Sequence, residues 1–184
     1  MTDVDDKRSR FEAQVMPHLD AAYRFARWLG TSPSDADDVL QEAILRAYRG
    51  FEGLRGANVK AWLLAIVRIC HITAVKQEQR RGFVPLPEEW DPRDGDALVE
   101  GSPDPERAAL LRDQQRTLEA LISSLPQAQR EVLLLREIEE LDYREIASVI
   151  QMPIGTVMSR LARARAALKL SWHQACAGEI HGLL

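Results

Sequence analysis

Apolar residues recur three or four positions apart along most of the chain, which is the spacing that gives a helix one buried face. In the first half, this pattern predicts a helix from about Phe11 to Leu29. Ser32 is suited to cap a second helix, with Pro33 in its first position. A third, long helix is predicted from Asn58 to about Gln79. Convincing strand-like alternation is absent, so the pattern predicts an all-α fold.

The second half continues the helical pattern and ends in a helix-turn-helix. Two helices are predicted, over residues 105–123 and from Pro126 to about Glu140. Glu145 follows Asp142 by three residues, so the two can form a capping box at the start of the next helix. After a turn of two residues, Pro153 suits the start of a further helix.

The last predicted helix has the composition of a helix that reads DNA. Its buried stripe consists of Val157, Leu161, Ala164 and Leu168. Small residues on the other face let a helix enter the major groove, and arginine can bind guanine O6 and N7. That face carries Met158, Ser159, Ala162, Arg163 and Ala166, flanked by Arg160 and Arg165, which suit phosphates. The alternative interpretation is a solvated basic helix on an ordinary bundle.

The formal net charge of −4 is unusual for a DNA-binding protein, but the acids are concentrated in one stretch. Residues 88–106 contain eight acids and one arginine, a net of −7, so the rest of the chain is net +3. Five prolines and three glycines interrupt the helical pattern over residues 82–105, which indicates a flexible linker. We therefore predict two small helical domains, residues 8–82 and 105–172, joined by an acidic linker at 83–104.

Several classes of protein find no support in the sequence. No apolar run is long enough to span a membrane, and the N-terminus lacks an export signal, so we expect a cytoplasmic protein without membrane insertion. Cys70 and Cys176 are isolated, which argues against a disulfide framework or a zinc site. There is no catalytic cluster and no phosphate-binding glycine loop, so we expect no enzyme, metal or cofactor.

Two ordered signatures give the chain a family resemblance. The first is SDADDVLQEAILRAYRGF at residues 34–51, followed by KAWLLAIVRI at residues 60–69. The second is LPQAQREVLLLREIEELDYREIASVIQMPIGTVMSRLARARAAL at residues 125–168. In this order, with an acidic linker between them, they resemble the extracytoplasmic-function (group 4) sigma factors of bacterial RNA polymerase over about residues 10–170.

The resemblance implies a promoter-specificity subunit with two domains. A sigma region 2-like domain, residues 8–82, would bind core polymerase and recognise and melt the −10 element. A sigma region 4-like domain, residues 105–172, would recognise the −35 element through its helix-turn-helix. Such a factor directs core RNA polymerase to specific promoters in response to stress or another signal. Members of the family are usually held by a cognate anti-sigma factor.

The resemblance also implies roles for individual residues. The core-polymerase-binding face would comprise Asp38, Gln41, Glu42, Leu45, Arg46 and Arg49. The −10 DNA would be contacted by Lys60, Arg68, His71, Lys76, Arg80 and Arg81. On the −35 DNA, Ser159, Ala162 and Arg163 would face base edges, Met158 would face a thymine methyl, and Thr156, Arg160 and Arg165 would contact the backbone. The chain departs from the family pattern at Ile69, where asparagine is common, and at Met158, where lysine or arginine is common.

A second function class is a stand-alone transcriptional regulator that binds duplex DNA through its helix-turn-helix. It would explain residues 142–168 but leave the first domain without a role. The two hypotheses differ in whether activity requires core RNA polymerase.

Overall fold

The computed structural model describes residues 3–29, 33–54, 56, 58–80 and 105–181, so the predicted linker lies outside the described residues. The α-helices among them are α1 (Asp3–Val15), α2 (Leu19–Leu29), α3 (Pro33–Gly50), α4 (Val59–Arg80), α5 (Pro105–Ser124), α6 (Gln127–Glu137), α7 (Tyr143–Ile150) and α8 (Ile154–His181). Two short 3-10 helices occupy Met16–His18 and Phe51–Gly53. The described ranges contain no strand, which confirms the predicted all-α fold. None of their helices is long and apolar enough to cross a membrane.

The prediction of one continuous helix over residues 11–29 is wrong, because the α-helix is interrupted at Pro17. Proline lacks a backbone N–H, and its ring clashes with the carbonyl one turn earlier in a helix. The chain therefore passes through the 3-10 helix Met16–His18, where the Leu19 N–H donates to the Met16 carbonyl, before α2 begins. Val15 and Phe25 are nevertheless both buried, so both sides of the break contribute to the core.

The first four helices form a bundle in which α3 packs against α2 and α4. Four residues of α3 spaced at helical intervals are buried: Ala36, Val39, Ala43 and Ala47. On α4, Leu63, Leu64 and Val67 are fully buried, whereas Trp62 is half-buried. The start of α4 is as predicted, since Asn58 Oδ1 accepts hydrogen bonds from the N–H groups of Lys60 (3.0 Å) and Ala61 (3.3 Å). The predicted cap of α3, Ser32, lies outside the described residues.

The predicted helix-turn-helix is present with its capping box. Asp142 Oδ1 accepts from the N–H groups of Arg144 at 2.7 Å and Glu145 at 2.8 Å, and Glu145 Oε2 accepts from the Asp142 N–H at 2.8 Å. Gln151 ends α7 in the left-handed backbone region, with φ of 54°. Pro153 lies one residue before α8 and accepts from the N–H groups of Thr156 and Val157. The helix continues well past residue 168, to His181.

The described residues form two compact units that do not follow chain order. One contains α1 to α4 together with Leu134–Met158, which spans the end of α6, all of α7 and the start of α8. The other contains residues 105–133 and 159–181. In this second unit, Arg130 Nη1 donates to the Ser123 carbonyl at 2.8 Å, and burial lowers the pKa of the Arg130 guanidinium. This contact holds the end of α5 beside the start of α6.

Two leucines of the first unit allow a matched test of the core. Leu63→Ala should destabilise the protein by about 2–5 kcal/mol, because the side chain is 0% exposed and its removal leaves a cavity. Leu45→Ala should change the free energy of unfolding by less than about 0.5 kcal/mol, because Leu45 is 53% exposed. Urea denaturation followed by circular dichroism measures both. Equal losses in the two variants would contradict this assignment of the core.

Candidate nucleic-acid interface

The amphipathic pattern of α8 decides which of its side chains can reach a partner. Val157, Leu161 and Ala164 are at most 1% exposed and belong to the core, whereas Leu168, the fourth residue of the predicted stripe, is only half-buried. The predicted base-reading residues Ala162 and Arg163 are exposed, as is Ala166, while Ser159 is half-buried. Met158 is 53% exposed. The accessible face of α8 therefore combines small side chains, a methionine and an arginine, as the sequence predicted.

The predicted phosphate-binding residues lie at the edges of this face. Thr156 and Arg160 are half-buried, and Arg165 is exposed. Thr156 lies in the first turn of α8, where the positive end of the helix dipole favours anions. The three residues therefore flank the exposed face, where duplex phosphates lie when a helix enters the major groove.

Arg136 positions the turn before α7, and this role was not recognised from the sequence. Its Nη1 donates to the Leu141 carbonyl at 2.8 Å, and its guanidinium lies 5.2 Å from the centroid of the Tyr143 ring. Glu140, between them, has a left-handed backbone with φ of 55°. One arginine thus holds both ends of the bend that leads into α7. A cation six residues before a helix cap gives no recognisable sequence signal.

The predicted core-polymerase-binding residues lie on α3, away from its buried alanines. Asp38, Gln41, Leu45 and Arg49 are exposed, and Glu42 and Arg46 are half-buried. The last two form an ion pair in which Arg46 Nε donates to Glu42 Oε1 at 2.6 Å. This hydrogen bond raises the pKa of the Arg46 guanidinium. The face presents one exposed leucine among charges of both signs, a composition suited to a partner helix.

A groove of about 420 Å³ runs beside this face, between α3 and α4. Its walls include the carboxylates of Asp35, Asp38, Glu42 and Glu78 and the thiol of Cys70. Burial raises the pKa of the Cys70 thiol, with Arg46 opposing the shift and Glu42 adding to it. The thiol is therefore protonated at neutral pH and is a poor nucleophile or metal ligand. Within the described part of the chain, no group of three or more His, Cys, Asp or Glu residues could hold a metal ion.

The predicted −10 cations on α4 differ in their exposure to solvent. Lys60 and Arg68 are half-buried, and Lys76 and Arg80 are exposed. His71 is 6% exposed and lies in the core, so in this conformation its side chain is not available to a DNA phosphate. Arg81 lies outside the described residues. Ile69, the departure from the family pattern, is 40% exposed.

The first turn of α4 also contacts residues far along the chain. Lys60 Nζ lies 2.7 Å from Glu139 Oε2, and Asn58 Nδ2 donates to Glu145 Oε1 at 2.7 Å. Arg24 of α2 adds an ion pair with Glu139, with 3.2 Å between Nη2 and Oε1. Sequence periodicity could not reveal these contacts, because it reports which face of a helix is buried and not which polar groups meet.

Comparison with known families agrees with this arrangement. The family model described as "Sigma-70 region 2" matches residues 14–81, which include α2, α3 and α4. The model described as "Sigma-70, region 4" matches residues 115–168, which include α6, α7 and the exposed face of α8.

Individual relatives match over most of their length. The chain is 38% identical over 139 residues to the RNA polymerase sigma-H factor of Pseudomonas aeruginosa, covering 73% of this chain and 71% of that protein. It is 36% identical over 140 residues to the ECF RNA polymerase sigma-E factor of Escherichia coli K12, covering 73% and 72%.

The fold is similar to that of a solved sigma factor. The co-crystal structure of RpoE with the anti-sigma factor NepR, from Bartonella quintana, has a TM-score of 0.73 at 23% identity and covers 89% of this chain and 97% of that chain. The region 2 and region 4 models match in this order along the chain, and each alignment with a relative covers more than two thirds of both proteins. The chain therefore belongs to the sigma-70 family of RNA polymerase sigma factors, within its extracytoplasmic-function group.

Proposed function

We propose that this chain binds core RNA polymerase through α3 and directs it to promoters by reading the −35 element with α8 and the −10 region with α4. The observation that carries the proposal is the accessible face of α8, small and basic, on a capped helix-turn-helix in a chain that also contains sigma region 2. Nucleotide addition is carried out by core polymerase, so this chain contributes recognition and acts in the cytoplasm with that enzyme.

Reading the −35 element relies on Arg163. Its side chain is exposed on α8 beside Ala162, whose small size lets the helix sit deep in the groove. From that position a guanidinium can donate to both O6 and N7 of one guanine. Met158, 53% exposed, can pack against a thymine methyl. Thr156, Arg160 and Arg165 hold the helix in register through phosphates.

Binding of the −10 region relies on the cations of α4. Lys60, Arg68, Lys76 and Arg80 are accessible to different extents along the helix, and we assign them to the backbone of the melted strand. We also assign Arg81 to this surface, by the motif position that it occupies. The burial of His71 is the reason that we leave it out.

Docking onto core polymerase relies on the exposed face of α3. Leu45 supplies apolar area, and the surrounding charges supply orientation. The solved relatives include sigma factors bound to anti-sigma factors, such as RpoE with NepR. We propose that an anti-sigma factor also holds this chain, in competition with core polymerase.

Run-off transcription on a promoter library, with purified core polymerase and the full chain, tests the proposal as a whole. We expect initiation at a subset of sequences that share −35 and −10 words, and none without the chain. A stand-alone regulator would bind duplex DNA but would not make core polymerase promoter-specific.

Reversing two charges on α3 should separate docking from folding. Asp38→Lys/Glu42→Lys should abolish association with core polymerase and all transcription, because it replaces both carboxylates of the proposed docking face with cations. The fold should remain, since the side chains of the lost Glu42–Arg46 pair keep 38–45% of their surface in contact with solvent, and solvent-accessible pairs contribute roughly 0–1 kcal/mol. Pull-down with core polymerase measures binding, and circular dichroism measures folding.

The matched control is Glu12→Lys/Asp113→Lys, which changes the net charge equally at two exposed residues outside the proposed face. It should bind core polymerase as the wild type does. A folded Asp38→Lys/Glu42→Lys variant that still initiates at the same promoters would remove α3 from the proposal.

Two substitutions at Arg163 should separate base reading from charge. Arg163→Ala should cost about 1–3 kcal/mol at promoters with the preferred base and relax selectivity at one −35 position. Arg163→Lys keeps the positive charge but cannot donate two parallel hydrogen bonds to one guanine. It should therefore keep the general affinity for DNA and lose the same selectivity. Holoenzyme binding to promoters substituted at single positions measures both. A loss spread evenly over all sequences would instead make Arg163 a phosphate contact.

A further inference from the structure

The loop that joins α3 to α4, residues 51–58, is fixed at both of its ends. At its start, Phe51 is 6% exposed, and its carbonyl accepts from the Leu54 N–H at 3.0 Å. At its end, Asn58 Oδ1 caps α4. Between them, Gly56 is exposed and has φ of 64°, in the backbone region that favours glycine. The loop therefore follows a defined path into the helix that carries the proposed −10 cations.

Three aromatic rings hold the start of this loop against α1. The Phe11 ring of α1 lies 5.4 Å from the Phe51 ring and 5.2 Å from the Tyr48 ring, measured between centroids. It is nearly perpendicular to both, at 84° and 85°. Edge-to-face pairs of this kind are favourable beyond the area that they bury. Phe11 is itself 5% exposed, so the contact excludes water.

Lys7 adds a polar contact at the same end of the loop. It precedes Phe11 by four residues, so both side chains lie on one face of α1. Its Nζ lies 5.0 Å from the centroid of the Tyr48 ring and 3.7 Å from Glu52 Oε2. A lysine placed over an aromatic ring is attracted by the negative face of that ring. We call Lys7, Phe11, Tyr48, Phe51 and Glu52 the loop anchor.

The α1 half of the loop anchor lies outside the matched family region. The region 2 model begins at residue 14, after both Lys7 and Phe11. Stability alone does not require the Lys7–Glu52 pair, because Glu52 keeps 60% of its side-chain surface exposed and such pairs contribute little. The loop anchor does restrict the conformation of the loop. A binding loop that is already fixed in one conformation loses less entropy when it binds.

We propose that α1 positions the loop 51–58 for reading of the −10 region. Lys7 and Phe11 are positioning residues that act through Phe51 and Glu52. The inference rests on the proposed function of α4, because the loop leads directly into that helix. Without the loop anchor, the loop visits several conformations, and the apparent affinity for the −10 word falls in proportion to the fraction that still fits the DNA. A fraction of about one tenth weakens binding about tenfold.

Lys7 and Arg8 allow a test at constant charge, since substitution of either by methionine removes one cation from α1. Arg8 is 72% exposed in its side chain and pairs within α1, with Glu12. The probe is a fluorescein-labelled fork DNA carrying the −10 word from the run-off experiment, bound by core polymerase together with the full chain. Lys7→Met should weaken binding about threefold to fivefold, whereas Arg8→Met should change it less than about twofold. Lys7→Arg keeps the cation and should bind as the wild type does. Equal losses in Lys7→Met and Arg8→Met would overturn the role of Lys7.

Phe11 and Phe25 separate positioning from stability. Both are buried phenylalanines of the first compact unit, but Phe25, 1% exposed on α2, lies outside the loop anchor. Leucine at either position leaves a partly filled site, so both variants should lose stability to urea. Only Phe11→Leu should also lose discrimination between the −10 word and words substituted at single positions, by about tenfold. Equal losses of discrimination in the two variants would overturn the proposal.

Hydrogen exchange in the free chain supplies a readout that does not involve DNA. A peptide covering residues 50–58 should exchange faster in Phe11→Leu than in Phe25→Leu, because only the first substitution releases the start of the loop. If this peptide exchanges equally in the two variants, α1 does not fix the loop and the proposal fails.

The outcomes separate this positioning role from the proposed function. If the wild-type holoenzyme initiates at no promoter, the proposed function fails, while hydrogen exchange still decides whether α1 fixes the loop. If the holoenzyme is active but Phe11→Leu matches Phe25→Leu in discrimination and exchange, the positioning role is wrong and the proposed function stands. If Phe11→Leu does not fold, the comparison of Lys7→Met with Arg8→Met decides.

Discussion

Close approach between helices is the constraint on which this structure depends. Ala36, Ala43 and Ala47 are fully buried on α3, and their small side chains let α2 and α4 pack tightly against it. That closeness gives Leu63 and Leu64 of α4 an interior in which both are completely buried. Because α3 packs along one narrow stripe, the side chains on its opposite face are not needed for packing. On α3, that other face carries the residues assigned to core polymerase.

The helix-turn-helix also depends on a buried stripe, but hydrogen bonds fix the ends of its helices as well. The Asp142–Glu145 capping box satisfies N–H groups that would otherwise lack partners at the start of α7. Gln151 then ends the helix in a left-handed conformation, so that α8 starts in a new direction. Since Val157, Leu161 and Ala164 are buried, Arg163 must face outward. The outward position of Arg163 therefore follows from a cap, a turn and an apolar stripe.

The polar contacts of Glu139 within the first compact unit join residues that are far apart in sequence. Glu139 is buried and charged, and its partners come from α2 and α4, which are distant in sequence. Buried ion pairs of this kind contribute little to stability compared with well-packed apolar residues, but they are sensitive to the loss of either partner.

Local patterns in the sequence determined the fold class, the family and most helix limits. Helical spacing predicted α3 and α4, and the Asn58 and Asp142 caps were correctly placed, because both depend on residues within one or two turns. The sequence alone also identified the exposed face of α8, because a buried stripe implies its opposite. Pro17 was missed even though its signal is local, because the apolar spacing continues across the break. Tertiary structure alone decided that Arg136 holds the bend before α7 and that Lys60 meets Glu139. These outcomes depend on which helices approach each other, and periodicity along a single helix carries no information about its neighbours.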